Sequence, residues 1–211
     1  MNNRKMNRSI LSILLALALV MCCVPAFAED AVTSATVNIA SFPALAEHES
    51  AGVLVVYFST DDTVKAVALT AAEALEADVF EIVPEQPYTD ADLAYYTNCR
   101  ADKEQNDAGA RPGIAVWPGS LEQYDVIFIG YPIWHGQAPK ILYTLLEGVD
   151  VSGKTIVPFC TSASSGAGSS ATNLEKVTAG ASWLTARRIS NRSTADQIRS
   201  WALEALAEAA K

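Results

Sequence analysis

Three short segments of the chain combine residue types that could bind a ligand. Ser59–Thr63, at the start of a helical pattern, offers hydroxyl groups and backbone N–H groups, which together suit an anion. Tyr131–Gly136 places Trp134 on a turn, where a flat aromatic side chain can stack on a planar ring. Thr161–Ser170 consists of small residues that let the backbone approach the edge of a ligand.

Each segment also has an ordinary interpretation. Ser and Thr at a helix start are common N-caps, a tryptophan can anchor a core, and a run of Gly and Ser is usually a loop. In combination, an anion cradle, a stacking aromatic and a close-backbone loop favour a mononucleotide that carries a flat ring. The combination therefore outweighs the separate interpretations.

The elements that must position these segments alternate between apolar runs and helical patterns. Strands are predicted at Gly52–Ser59, Asp78–Val83, Tyr124–Gly130, Lys154–Cys160 and, more weakly, Ser182–Ile189. Helices are predicted at Asp62–Ala77, Pro139–Glu147, Ser169–Thr178 and Thr194–Ala210. Strands separated by helices form a parallel sheet covered on both faces, with ligands at the carboxyl ends of the strands. The three segments are therefore expected to meet at one edge of the sheet.

A connection of about forty residues between Pro84 and Tyr124 is too long for an ordinary loop. It contains a predicted helical piece at 91–105 and four large aromatic residues, Tyr88, Tyr95, Tyr96 and Trp117. This aromatic surface favours an ordered flap. Arg100 and Arg111 of the flap either meet an anionic ligand or pair with nearby acids, Asp102, Glu104 or Asp107.

Composition limits the class of protein. The 211 residues are 50% apolar, enough for one domain with a sizeable core, and the net charge is −9. Arg4, Lys5 and Arg8 are the only charged residues among the first 28, so the rest of the chain is still more acidic. This charge argues against nucleic acid and against anionic membrane surfaces as partners.

The N-terminus has the features of a secretory signal. A basic start precedes an apolar run at Ile10–Val24 and a small-x-small site that ends at Ala28. The run is shorter than a spanning helix requires, so we expect cleavage after Ala28 and an exported, soluble protein. Lipid attachment at Cys22 ranks second because the bulky Met21 precedes it. Residues 29–51 then form a leader, and 52–211 form the domain.

The remaining cysteines and histidines do not suggest a metal centre. Cys99 and Cys160 are retained after cleavage and could pair, but Cys160 closes an apolar strand, where a buried free thiol is commoner. The chain has two histidines and no Cys-x-x-Cys, so no zinc site is expected. A serine hydrolase is disfavoured because no Gly-x-Ser-x-Gly occurs and His135 has no acidic partner in its segment.

From about Gly52 to the C-terminal helix, the chain resembles the flavodoxin family, particularly its exported bacterial branch. The resemblance is carried by VLVVYFST, EIVPEQPYT, RPGI, YDVIFIGYPIWHGQAPKILYTLLE, GKTIVPFCTS and GASWL. It implies a three-layer α/β sandwich with a five-stranded parallel sheet in the order 2-1-3-4-5. It also implies noncovalent FMN, used for electron transfer or for flavin-dependent reduction, for example of quinones. The implied partners are a redox protein or a membrane electron donor, or a small-molecule substrate.

The resemblance also assigns positions to the ligand. Ser59, Thr60 and Thr63 would hold the phosphate, in a loop that also contains Asp61 and Asp62. Pro132, Ile133, Trp134, His135 and Gly136 would face the flavin ring, and Thr161, Ser162, Ala163, Ser164 and Gly166 would line its polar edge. No catalytic residue is assigned. His135 could donate a proton, but a surface histidine bonded to backbone is the favoured interpretation.

The phosphate loop departs from the family pattern. Members usually read Ser-x-Thr-Gly-Asn-Thr, whereas Asp61 and Asp62 stand here where glycine and asparagine are expected. A carboxylate about 4 Å from a phosphate is repelled by roughly 4 kcal/mol per charge pair at an effective dielectric of 20. Either Asp62 caps the helix from outside while Asp61 points to solvent, or an aspartate itself occupies the cradle. The second alternative describes a binding module that has lost FMN.

Overall fold

The computed structural model describes residues 52–94 and 97–211. The predicted signal peptide with Cys22, the leader at 29–51, and Tyr95 and Tyr96 of the flap lie outside the described residues. Within the described part, no helix is both long enough and apolar enough to cross a bilayer.

A parallel β-sheet forms the centre of the domain. Its strands are β1 (Val53–Tyr57), β2 (Asp78–Glu81), β3 (Val126–Pro132), β4 (Thr155–Thr161), β5 (Ser182–Trp183) and β6 (Arg187–Arg188). The strand order is β2-β1-β3-β4-β5, and β6 pairs with β4 farther along the same edge. The order 2-1-3-4-5 expected from the sequence is therefore confirmed.

Helices cover both faces of the sheet. They are α1 (Asp62–Leu75), α2 (Arg100–Asn106), α3 (Lys140–Gly148), α4 (Ser170–Glu175) and α5 (Ala195–Ala209). Side chains of β1 alternate between two cores, because successive residues of a strand point to opposite faces. Val53 and Val55 pack with α1 and α5, whereas Leu54 and Val56 pack with α3. All five residues of β1 are buried, as expected for a strand covered on both sides.

The predicted fifth strand is interrupted. Ile156 of β4 pairs with Trp183, but Phe159 pairs with Arg187, so two residues of β4 face three residues of the edge segment. The extra residue is a bulge, and it breaks the single strand predicted at 182–189 into β5 and β6.

The flap contains a shorter helix than the sequence predicts. Asn98 has a φ of 56°, in the left-handed region, which separates the turn at 89–93 from α2. Backbone hydrogen bonds anchor the flap beside the end of β2, where the Ala115 N–H donates to the Val83 carbonyl at 2.8 Å. Tyr88 and Ile114 pack against the core. The described part of the flap is therefore ordered.

Cys99 and Cys160 are both free thiols. Cys160 is fully buried in β4, and this burial raises the pKa of its thiol to about 11. The interpretation of Cys160 as a buried core thiol is confirmed, and pairing with Cys99 does not occur.

Candidate functional site

The loops that follow β1, β3 and β4 meet at the carboxyl edge of the sheet. Between the first two loops, the rings of Phe58 and Trp134 pack edge to face with centroids 5.6 Å apart. Between the second and third, the Ile133 N–H donates to the Thr161 carbonyl at 3.0 Å. Farther out, the Gln137 side chain donates to Ser169 Oγ at 3.1 Å. These contacts bring the three segments singled out in the sequence to the same edge of the sheet.

In the first loop, Asp61 is the N-cap of α1. Its backbone is extended (φ −139°), and its Oδ1 accepts the Thr63 N–H at 2.8 Å. Ser59 Oγ donates to the Asp61 carbonyl, which closes the turn. An N-cap carboxylate reaches the second amide of a helix, and Thr63 holds that position. The capping residue is thus Asp61, as in the alternative in which an aspartate occupies the cradle, and the alternative in which Asp62 caps the helix is wrong. Asp62 lies exposed in the first turn.

This capping affects how the loop could hold an anion. The Asp61 carboxylate already places a negative charge at the positive end of α1 and uses the Thr63 N–H. Lys65, one turn into α1, lies 3.4 Å from Glu81 and pairs with it on the surface. Thr60 and Asp61 are exposed, whereas Ser59 and Thr63 are half-buried. A phosphate would therefore need the Asp61 side chain to rotate into solvent, which its exposure permits.

In the second loop, residues 134–137 form a tight turn. The backbones of Trp134 and Gln137 exchange two hydrogen bonds of 2.9 Å. The two residues between them have positive φ, 50° at His135 and 76° at Gly136, as in a type I′ turn. Glycine meets this requirement without strain, and histidine tolerates it better than most residues.

Trp134 packs against other aromatic rings at the border of the core. It is half-buried at the border of the core, and its ring packs edge to face against Phe58 and against Tyr88, with centroids 5.2 Å apart in the second pair. Pro132 and Ile133, just before it, are also half-buried. Edge-to-face neighbours fix the orientation of an aromatic ring. Trp134 is therefore held in a defined position at the carboxyl edge of the sheet.

The third loop is supported from the edge of the sheet. Arg188 in β6 donates from Nε to Ser162 Oγ at 3.0 Å and from Nη2 to the Ser162 carbonyl at 2.9 Å. Ala163, Ser164 and Gly166 are exposed, and Arg188 Nη2 also donates to the Ala163 carbonyl at 3.3 Å. Thr161 is buried as the last residue of β4 and contributes to the base of the loop instead. Sequence analysis missed Arg188, whose only signal was its position in the predicted fifth strand.

The flap contributes two side chains that sequence analysis also missed as site residues. Gln105 Nε2 donates to the Trp134 carbonyl at 3.0 Å, and its Oε1 accepts the Lys140 N–H at 3.1 Å at the start of α3. One turn earlier in α2, Asp102 Oδ1 lies 2.7 Å from His135 Nε2. Residues three apart lie on one face of a helix, so α2 presents both side chains to the turn.

Asp102 is the acidic partner of His135. His135 is half-buried, and its Nε2 faces a carboxylate of the flap, a partner that the favoured sequence interpretation did not include. Burial of Asp102 acts to raise the pKa of its carboxyl, but the Asn98 and Cys99 amides and the His135 imidazole outweigh burial and lower that pKa. Asp102 is therefore ionised at neutral pH.

The two flap arginines form ion pairs. Arg100 Nε lies 2.7 Å from Glu104, and its guanidinium lies 4.2 Å from the centroid of the Tyr88 ring. Arg111 Nε lies 2.6 Å from Glu147 in α3. The salt-link alternative therefore describes both arginines, although the partner of Arg111 lies outside the flap.

A parallel sheet in this order, flanked by helices and carrying its loops at the carboxyl edge, defines a flavodoxin-like fold. The family model described as Flavodoxin matches residues 52–205, and the chain belongs to the flavodoxin family. Among curated proteins, none matches the chain.

Solved structures agree with this assignment. A candidate flavoprotein from Bacteroides eggerthii is 41% identical, with a TM-score of 0.68 over 75% of this chain and 98% of that one. A second, from Bacteroides uniformis, is 35% identical, with a TM-score of 0.69 over 72% and 98% of the two chains. A Lactobacillus acidophilus flavoprotein, solved in complex with FMN, is 21% identical, with a TM-score of 0.55 over 64% and 91%, and it shares the fold.

Proposed function

We propose that this protein is an exported flavodoxin that binds FMN at the carboxyl edge of its sheet. Its activity would be electron transfer or flavin-dependent reduction, for example of quinones. The observation that carries the proposal is the fixed position of Trp134 on a turn between the first and third loops. The FMN held by the Lactobacillus acidophilus fold neighbour supports FMN as the flavin.

The chain offers groups for each part of this cofactor. Trp134 and the turn around it suit the ring, and the exposed loop residues Ala163 and Ser164 suit its polar edge. The hydroxyls and N–H groups of 59–63 suit the phosphate once Asp61 rotates outward. When bound, FMN supplies one- and two-electron chemistry, and the protein contributes position and electrostatics.

The acidic surroundings have a measurable consequence. Asp61 and Asp62 are exposed beside the site, and the chain as a whole carries a net charge of −9. Negative charge disfavours a reduced, anionic ring, so we expect the midpoint potential of the bound flavin to lie below that of free FMN. A midpoint above that of free FMN would contradict this electrostatic reasoning.

Export and partners extend the proposal. The basic start, the apolar run and the site at Ala28 support secretion and removal of the first 28 residues. Outside the cytoplasm, electrons would come from a redox protein or a membrane donor and would pass to a protein or a small-molecule acceptor. Mass spectrometry of the protein secreted by a bacterial host tests cleavage after Ala28 and lipid attachment at Cys22.

A second candidate function is a flavodoxin-fold binding module that has lost FMN. The hydrogen bond from the Thr63 N–H to the Asp61 carboxylate favours it, because this carboxylate occupies the helix end that a phosphate needs. In this case the surface would hold another ligand or a protein.

Two measurements separate the candidates. The absorbance of freshly purified protein in the flavin bands reports a cofactor acquired in the cell. Titration of the apoprotein with FMN, followed by quenching of flavin fluorescence, reports binding directly. Quenching at micromolar protein supports the flavodoxin function. Its absence, with quenching restored when Asp61 and Asp62 are replaced by Gly and Asn, supports the binding module.

A further inference from the structure

A buried carboxylate of the flap faces the turn that carries Trp134. Asp102 is 5% exposed, and its Oδ1 lies 2.7 Å from Nε2 of the half-buried His135. A buried charge is costly unless hydrogen-bonded groups compensate it. The contact therefore fixes the imidazole of His135 relative to the flap.

The second carboxylate oxygen is held by the backbone. The Asn98 N–H donates to Asp102 Oδ2 at 2.8 Å, at the left-handed residue that precedes α2. This bond fixes which oxygen faces His135. Oδ1 is buried and accepts no other hydrogen bond from the described residues, and it lies 2.7 Å from Nε2. At this distance an unprotonated Nε2 would set its lone pair against those of an ionised carboxylate oxygen, so Nε2 must carry a proton.

The same helix holds the backbone of the turn. Gln105 donates to the Trp134 and Ala138 carbonyls at 3.0 and 3.3 Å and accepts the Lys140 N–H. Helix α2 thus fixes the turn at its backbone through Gln105 and at its side chain through Asp102.

We propose that Asp102 is a positioning residue of the ligand site, which holds the His135 imidazole beside Trp134 in one orientation and as the Nε2–H tautomer. The identity of the ligand rests on the proposed function, whereas the tautomer does not. This arrangement is absent from the sequence motifs, since the two residues come from the flap and from the loop after β3.

Asp102→Asn tests the proposal with almost no change in volume. The Asn98 N–H needs an acceptor, so the carbonyl of the new amide should face it and the NH₂ group should face His135. Nε2 would then accept a hydrogen bond, and the proton of the neutral imidazole would move to Nδ1. Asp92→Asn is the matched control, because Asp92 also accepts a backbone N–H in the flap, from Thr89 at 2.9 Å.

The first readout is the tautomer in the apoprotein. Nitrogen-15 chemical shifts of the imidazole, recorded where it is neutral, distinguish the two forms. The chain has two histidines, and a His48→Gln variant identifies the signals of His135. We expect Nε2–H in the wild type and in Asp92→Asn, and Nδ1–H in Asp102→Asn. A wild-type proton on Nδ1, or no change in Asp102→Asn, overturns the proposal.

The second readout is FMN affinity, measured by fluorescence quenching of the full chain. Loss of the charged partner of His135 should weaken FMN binding roughly tenfold in Asp102→Asn. The affinity of Asp92→Asn for FMN should equal that of the wild type. His135→Asn, which tolerates the left-handed backbone, should weaken binding equally, and the double variant no further. Additive losses, or unchanged affinity in Asp102→Asn, overturn the proposal.

The two readouts distinguish a failure of this proposal from a failure of the proposed function. A wild-type protein that binds no FMN counts against the proposed function, and the tautomer experiment then decides the role of Asp102. Circular dichroism of each variant checks folding. If Asp102→Asn does not fold, unchanged affinity in His135→Asn overturns the proposal, and weakened affinity supports it.

Discussion

Replacing Asp61 with Asn should strengthen FMN binding. Asn caps a helix about as well as Asp, so the turn at 59–63 keeps its shape while one negative charge is removed. At about 4 Å from a phosphate charge, that carboxylate costs roughly 1 kcal/mol at the dielectric of water and roughly 4 kcal/mol at an effective value of 20. Because Asp61 is exposed, we expect the lower half of this range, about 1 to 2.5 kcal/mol, which is an increase in affinity of about 5- to 70-fold.

Riboflavin separates this electrostatic effect from any change in shape, since it has the ring of FMN without the phosphate. In parallel fluorescence titrations, Asp61→Asn should raise the affinity for FMN and leave that for riboflavin unchanged. The gain should shrink as salt is added, because exposed charges are screened. Unfolding free energy should change by less than about 1 kcal/mol.

Asp150→Asn supplies the control. Asp150 also accepts a backbone N–H two residues later, from Ser152 at 2.9 Å, but it precedes β4 and so lies at the opposite edge of the sheet. Asp150→Asn should change neither the affinity for FMN nor the affinity for riboflavin. Equal gains for FMN and riboflavin in Asp61→Asn, or no gain for FMN at low salt, would refute the reasoning.

Three other outcomes are expected. Gly136→Ala places a β-carbon at a φ of 76° where nothing lies within 4 Å, so backbone strain alone should cost about 1 kcal/mol in denaturant unfolding, whereas Gly166→Ala should cost less. Burial raises the pKa of the Cys160 thiol to about 11, so this thiol should resist alkylation in the native protein, and Cys99 should react first. Mass spectrometry of the alkylated protein measures the order, and equal labelling of the two cysteines contradicts the buried position of Cys160. Since the pKa of Asp102 is lowered on folding, its contribution to stability is present above its unfolded pKa of about 4 and is lost as pH falls through the folded value. Asp102→Asn should therefore lose less stability on acidification than the wild type, and parallel acid unfolding curves would contradict this.

The sequence predicts the layered fold well because its signals are local. The continuous apolar run of β1 reflects burial on both faces, and the spacing of Val64, Val67 and Ala71 reflects one buried face of α1. The pattern does not locate the bulge between β5 and β6, since an extra residue leaves short apolar runs intact. The pattern also overestimates the length of α2, which begins only after the left-handed Asn98.

The sequence predicts the loops of the candidate site but not the side chains that hold these loops in place. Gln105 and Trp134 are 29 residues apart, and no local pattern links a flap helix to a turn after a strand. Asp102 and Arg188 were missed for the same reason. The choice between Asp61 and Asp62 as the cap depends on backbone angles that both residues can adopt, so the sequence left it open.

The interrupted edge of the sheet also bears on self-association. A long, regular outer strand offers a row of unpaired backbone groups to which another molecule can add its own strand. Here β5 and β6 are two residues each and are separated by a bulge, so neither offers a ladder long enough to template cross-molecule pairing. At this edge, the irregularity that splits the fifth strand protects the folded chain against fibril-like aggregation.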